Sequence, residues 1–173
     1  ANGKLTGLLI DNAVELVKKH IPSYEENIFR IGLKHAQENC FAAGLTTVCD
    51  AGLGKDSIDL IDKMQQEGVL KIKVYAMVSD VPANTNYYLQ KGPYKTDRLN
   101  VRSIKIYADG ALGSRGACLL NPYNDAPQRY GFMLSDSAHI SSLATEALDK
   151  GFQVNTHCIG DSATRLLLKI YAE

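Results

Sequence analysis

The sequence predicts an α/β protein with parallel strands, and three observations carry that reading. Short β-branched runs alternate with longer stretches of helical apolar spacing, and Gly and Pro fall between these runs instead of gathering in one linker. With 45% hydrophobic residues over 173 positions, the chain has enough apolar surface for one globular domain, 1–173. Strands separated by helices must be joined by crossovers, which are right-handed and leave the strands parallel.

The elements follow in order. Ser23 to Cys40 reads as a helix: Ser23 can cap with Glu26 three residues on, and Phe29, Leu33, Ala36 and Cys40 form an apolar stripe before Gly44. Leu45 to Cys49 reads as a strand closed by a turn at Asp50-Ala51-Gly52. Ser57 to Glu67 is a helix through Ile58, Ile61 and Met64, stopped by Gly68. Lys71 to Val78 is a second strand. A turn-rich stretch with Pro82, Asn84, Asn86 and Pro93 then leads to a third strand, Val101 to Ala108.

Residues Asp109 to Ser135 hold Gly110, Gly113, Gly116, Pro122, Pro127 and Gly131, a span too long for a plain connector and therefore a candidate functional loop. Helix, strand and helix return at Ser137 to Lys150, Phe152 to His157 and Asp161 onward, where Asp161 reads as a helix cap. A complete (β/α)8 barrel has eight strands in about 250 residues. Four strands therefore describe either a small open sheet or part of a barrel.

Charge and cysteine usage exclude several classes. Nineteen Lys and Arg balance nineteen Asp and Glu, so no global field draws in nucleic acid. Apolar runs such as Val74 to Val81 stop far short of the ~20 residues of a membrane helix. Cys40, Cys49, Cys118 and Cys158 are scattered without a C-x-x-C pair, which predicts free buried thiols and favours a reducing compartment.

Strand alternation singles out the chemistry. Ile104, Ile106 and Ala108 should point one way and Lys105, Tyr107 and Asp109 the other; Gln153, Asn155 and His157 should likewise share a face. If helices cover the apolar faces, Lys105 looks into an interior where an ammonium must be neutralised, paired or modified. An edge strand with one wet face would give the same alternation with a solvated Lys105 and an ordinary His157.

The stretch Ile104-Lys105-Ile106-Tyr107-Ala108-Asp109-Gly110-Ala111-Leu112-Gly113-Ser114-Arg115-Gly116-Ala117, followed by Val154-Asn155-Thr156-His157-Cys158-Ile159-Gly160-Asp161-Ser162-Ala163, resembles the amidohydrolase superfamily. More narrowly it resembles the YtcJ-like branch (amidohydrolase family 3) of metal-dependent amide and formamide hydrolases. Gly3-Lys4-Leu5-Thr6-Gly7 and Ala43-Gly44-Leu45-Thr46-Thr47-Val48-Cys49-Asp50-Ala51 add shorter similarities, so the resemblance runs over nearly the whole chain.

The resemblance implies a partial TIM (β/α)8 barrel with metal ligands at the carboxyl ends of its strands. Lys105 matches the fourth-strand lysine that is carboxylated to bridge two metals, and His157 matches the fifth-strand histidine. The implied cofactor is one or two divalent ions, zinc above all, and the implied substrate is a small amide attacked by metal-activated hydroxide. Asp109 and Arg115, on the loop over the strand ends, are the implied substrate-binding residues, with Arg115 suited to a carboxylate.

The family's first-strand His-x-His pair has no counterpart, because His20, His35 and His139 are isolated in helical contexts. The sixth-strand histidine and the general-base aspartate are expected beyond Glu173. The chain is accordingly expected to be a central segment, inactive alone and self-associating through exposed barrel edges. Two other classes use the same residues. One is an aldolase-type lyase with Lys105 as Schiff base; the other is a non-catalytic phosphate-binding fragment built on Gly110, Gly113, Gly116 and Arg115.

Overall fold

The computed structural model describes residues 4, 6–22 and 25–172. They form two compact units. One falls within Tyr24–Ile106 and His139–Thr156; the other falls within Ala1–Ser23, Tyr107–Ala138 and His157–Glu173.

The first unit is built on a sheet. Strands β1 (Thr47–Leu53), β2 (Lys73–Ser79) and β4 (Leu99–Tyr107) are parallel neighbours in that order. The two-residue β3 (Tyr94–Lys95) lies antiparallel to β4, and β5 (Gln153–His157) also pairs with β4. Helices α2 (Glu26–Ala42), α3 (Lys55–Gln66), α4 (Pro82–Lys91) and α5 (Ser137–Asp149) alternate with them. The α/β class with parallel strands is therefore as the sequence indicates.

One strand face is apolar throughout. Val74, Ala76 and Val78 of β2 and Leu99, Val101, Ile104 and Ile106 of β4 are buried, together with Ile58, Ile61 and Met64 of α3 and Ile140 and Ala147 of α5. The apolar set on β4 changes from odd to even positions. The sheet absorbs this with a bulge: Ala76 pairs with Val101 and Met77 with Ser103, leaving Arg102 as the extra residue, exposed to solvent. Replacing Ile104 by Ala should cost about 2–5 kcal/mol of unfolding free energy in a urea titration, because its site is fully enclosed.

Several boundaries correct the sequence reading. The strand expected to end at Cys49 continues to Leu53, because its backbone stays in register with β2 through Ala51 and shifts only there. The stretch expected as turns after β2 is helix α4, with Pro82 at its first position and Thr85, Tyr88 and Leu89 buried at helical spacing. Its Asn residues are not turn formers: Asn84 accepts the Lys55 N–H at 3.0 Å and donates to the Ser79 hydroxyl at 2.7 Å. Helix α2 begins at Glu26, and the cap expected at Ser23 lies outside the described residues.

The second unit contains a 3-10 turn (Asp11–Val14), the short helix α1 (Glu15–Lys18), the long loop after β4, and α6 (Asp161–Ile170). Gly160, not Asp161, takes the N-cap position of α6. Among the described residues no helix is long and apolar enough to cross a membrane.

Candidate functional site

Lys105 sits near the end of β4, opposite Ser79 of β2, and is only 9% exposed. Its Nζ donates to the Ile106 carbonyl at 3.1 Å. Burial pushes the ammonium below the ordinary lysine range, since low-dielectric surroundings disfavour the charged form. The polar face named by the sequence exists within this unit. The Tyr75 hydroxyl donates to the Gln153 side chain at 3.2 Å, and Gln153 donates to Asn155 two residues on at 3.0 Å.

His157 ends β5 and belongs to the second unit, where it is half-buried. Its ring lies 5.5 Å from that of Tyr107, tilted by 39°, and its carbonyl accepts the Ala108 N–H at 2.9 Å. Tyr107 was legible as a member of the polar set on β4. Nothing in the sequence marked it as the neighbour of His157.

The strand ends at Tyr107, so alternation does not govern Asp109. Instead the side chain turns inward, fully buried, and accepts three backbone N–H groups: Cys118 at 2.9 Å, Ile159 at 2.9 Å and Gly160 at 2.7 Å. Both carboxylate oxygens are used. Three converging peptide dipoles supply what burial would otherwise deny the charge. Asp109 thus joins the long loop to the turn that follows His157.

The loop is closed on itself and onto α6. Leu134 donates to the Ala108 carbonyl at 2.8 Å, and Leu119 to that of Tyr130 at 2.7 Å. The Cys118 carbonyl accepts the N–H groups of Ser162 and Ala163 at 3.2 and 3.3 Å, and the Asp161 carboxylate accepts the Leu120 N–H at 2.8 Å. Two glycines permit the closeness. A Cβ at Gly160 would overlap the Cys118 carbonyl, and one at Gly131, whose φ is +73°, would overlap the Ala117 carbonyl.

Arg115 occupies the left-handed region at φ +61° and is already engaged. Its Nε and Nη2 donate to the two oxygens of Asp125 at 3.3 and 2.7 Å. The same bonds hold the Asp125 carboxyl below the usual carboxylate range. The glycines singled out for phosphate have an anionic neighbour, because the Asp11 carboxylate packs where a Cβ on Gly110 or Gly116 would stand. All four cysteines are free thiols; Cys49 is exposed and the others half-buried, short of the full burial expected. His139 bonds the Asp80 carboxylate at 2.7 Å from α5.

For a divalent ion the donor chemistry of each unit fits in kind: an imidazole at a strand end in one, and in the other a lysine whose ammonium burial disfavours and whose amine can take up carbon dioxide as an oxygen donor. It is short in number. Among the described residues no group of three or more His, Cys, Asp or Glu could hold a metal.

The model of the amidohydrolase family matches residues 1–173, and the chain belongs to that family. It is similar to YtcJ, a candidate amidohydrolase of Bacillus subtilis, at 33% identity over 97% of this chain and 32% of that protein. It is 31% identical to LONG AFTER FAR-RED 3 of Arabidopsis thaliana over 98% of this chain and 31% of that protein. Among solved structures, an uncharacterised metal-dependent hydrolase from Pyrococcus horikoshii superposes with a TM-score of 0.81 at 25% identity, over 92% of this chain and 33% of the other. The chain spans about a third of the length of the relatives it matches.

Proposed function

We propose that this chain is the segment of a barrel-shaped metal-dependent hydrolase that contributes Lys105 and His157 to the metal centre, in a parent enzyme cleaving small non-peptide amides or formamides. The observation that carries the reading is the buried lysine on β4, in a chain of this family, with its ammonium disfavoured by its surroundings. A bound divalent ion, zinc being the best match to imidazole and carbamate donors, would supply an acidified water and a polarised carbonyl.

The chain's own residues do the rest of the work assigned to this segment. Lys105, as its neutral amine, is the carbamate-forming group. His157 offers a ring nitrogen from a strand end, steadied by Tyr107. Asp109 acts as a positioning residue, holding the turn after His157, while Arg115, held by Asp125, shapes the loop beside the substrate.

The test is spectroscopic. In 13C-bicarbonate, the 173-residue chain should show a carbamate carbon signal that Lys105→Arg lacks, and Mn2+ should broaden the His157 ring resonances before those of His20 and His35. A carbamate signal that persists in Lys105→Arg, or broadening that spares His157, would overturn the assignment. Two donors fall short of the three protein ligands typical of a catalytic ion, so metal analysis after dialysis should find well under one zinc per chain. Stoichiometric, chelator-resistant zinc would contradict this division of ligands.

A buried lysine also suits a Schiff-base lyase, but borohydride with a carbonyl substrate should leave no adduct on Lys105 if the hydrolase reading holds. Self-association is part of the same proposal. Among the described residues β1 pairs with β2 alone, and Ile28, Phe29 and Ile31 of α2 are exposed. Light scattering should show concentration-dependent growth in mass; a monodisperse monomer at high concentration would refute it.

A further inference from the structure

Beside Arg115 the long loop forms a groove whose other walls, Arg129, Tyr130 and Phe132, have no part in the proposed hydrolase chemistry. A cavity of about 530 Å³ is bounded by Ile10, Arg115, Arg129, Tyr130 and Phe132, and a second, of about 400 Å³, shares Ile10, Arg115 and Arg129 with it. Tyr130 and Phe132 are 50% and 46% exposed, so both offer apolar ring surface to whatever enters.

The two arginines differ. Arg115 gives the Nε–Nη2 edge of its guanidinium to Asp125, an ion pair that offsets its charge locally. Arg129 has no side-chain partner among the described residues, yet its backbone is fixed: its N–H donates to the Ala126 carbonyl and its carbonyl accepts the Tyr123 N–H, both at 2.9 Å. The walls beside it are held too, Tyr130 through the Leu119 N–H at 2.7 Å and Phe132 through the Gly116 carbonyl at 3.4 Å. Asp11 lines the second cavity but not the first, so the anion seat lies in the first, where Arg129 stands beside Tyr130 and Phe132.

We propose that this groove is a binding site for an organic carboxylate with an apolar or aromatic body, anchored by the Arg129 guanidinium and bedded on Tyr130 and Phe132. A planar guanidinium on a fixed backbone accepts a carboxylate through two parallel bonds, and the rings bury the remainder of the ligand. The inference stands on the groove alone and needs neither a metal nor catalysis.

Phenylacetate is a suitable probe, with phenylacetamide as its neutral counterpart. Titrated into the metal-free chain, phenylacetate should saturate and shift the ring protons of Tyr130 and Phe132. Phenylacetamide should bind about tenfold or more weaker, and Arg129→Gln should weaken phenylacetate by a similar factor, the loss expected of one charge-assisted bidentate contact. Arg129 is exposed, so the variant's thermal midpoint should be unchanged. Equal binding of acid and amide, undiminished binding by Arg129→Gln, or no shift of the two ring systems in the wild-type chain would overturn the site. Inorganic phosphate competing as tightly as phenylacetate would do so as well, since it has nothing to place on the rings.

Discussion

Gly160→Ala should be among the most destructive single substitutions in this chain, lowering stability by about 4 kcal/mol or more. The added methyl would overlap the backbone O and C of Cys118 and fall 2.6 Å from its N, and backbone cannot swing aside as a flexible side chain would. Relief would require moving Cys118 away from α6, which breaks the bonds from Ser162 and Ala163 to its carbonyl and the bond from its own N–H to Asp109. For a domain whose whole stability is about 5–15 kcal/mol, that loss should appear as a fall in soluble yield and in the denaturant midpoint. Ala at Gly113, where a Cβ would meet nothing within 4 Å, is the matched control and should change little. If both variants unfold at the wild-type midpoint, the tight packing at Gly160 is wrong.

Asp109→Ala should cost about 3–5 kcal/mol, because it strands three N–H donors at once, that of Gly160 buried and those of Cys118 and Ile159 partly so, each carrying a desolvation penalty of its own. Asp109→Asn is the sharper probe. The amide keeps the shape and one acceptor oxygen but points an NH2 group at N–H groups, so it should fall between wild type and Ala. Because two of the three donors are Ile159 and Gly160, both variants should also perturb the His157 ring resonances, even under conditions where the rest of the chain remains folded. A variant that loses stability while leaving those resonances untouched would show that Asp109 fastens the loop without positioning the histidine.

Much of the fold was legible because its period is strong. The apolar spacing of Ile58, Ile61 and Met64 and the β-branched runs around Val74 and Ile104 report burial on one face, and the structure buries those residues. Helix α4 was not legible, since Pro82, Asn84 and Asn86 carry turn propensity. What makes them helical is tertiary: Tyr88 and Leu89 find a core, and Asn84 bridges Lys55 and Ser79. The two-residue β3 is too short to leave a pattern.

At the site, alternation placed Lys105 on the polar face of its strand without deciding between an enclosed face and a wet one, and the fold leaves it 9% exposed. Asp109 and Arg115 show where such reasoning stops. The partners of Asp109 lie 9, 50 and 51 residues away and that of Arg115 lies 10 away, and only the folded loop shows that Asp109 spends its oxygens on peptide N–H groups and Arg115 its guanidinium on Asp125. Arg129 left no sequence signal at all, because a lone arginine in a polar stretch looks the same whether it faces solvent or a groove.

Cys118 is gripped from both directions, its N–H by Asp109 and its carbonyl by the first turn of α6. That couples three stretches far apart in the chain into one opening event. Deuterium should therefore enter the amides of Cys118, Ile159 and Gly160 at a common rate, slower than at the loop tip near Asn124, and a protease should nick the tip long before it reaches the base. The long excursion after the fourth strand is in this sense a buttress with a soft crown, and substitutions at the crown should leave the His157 ring resonances where they are.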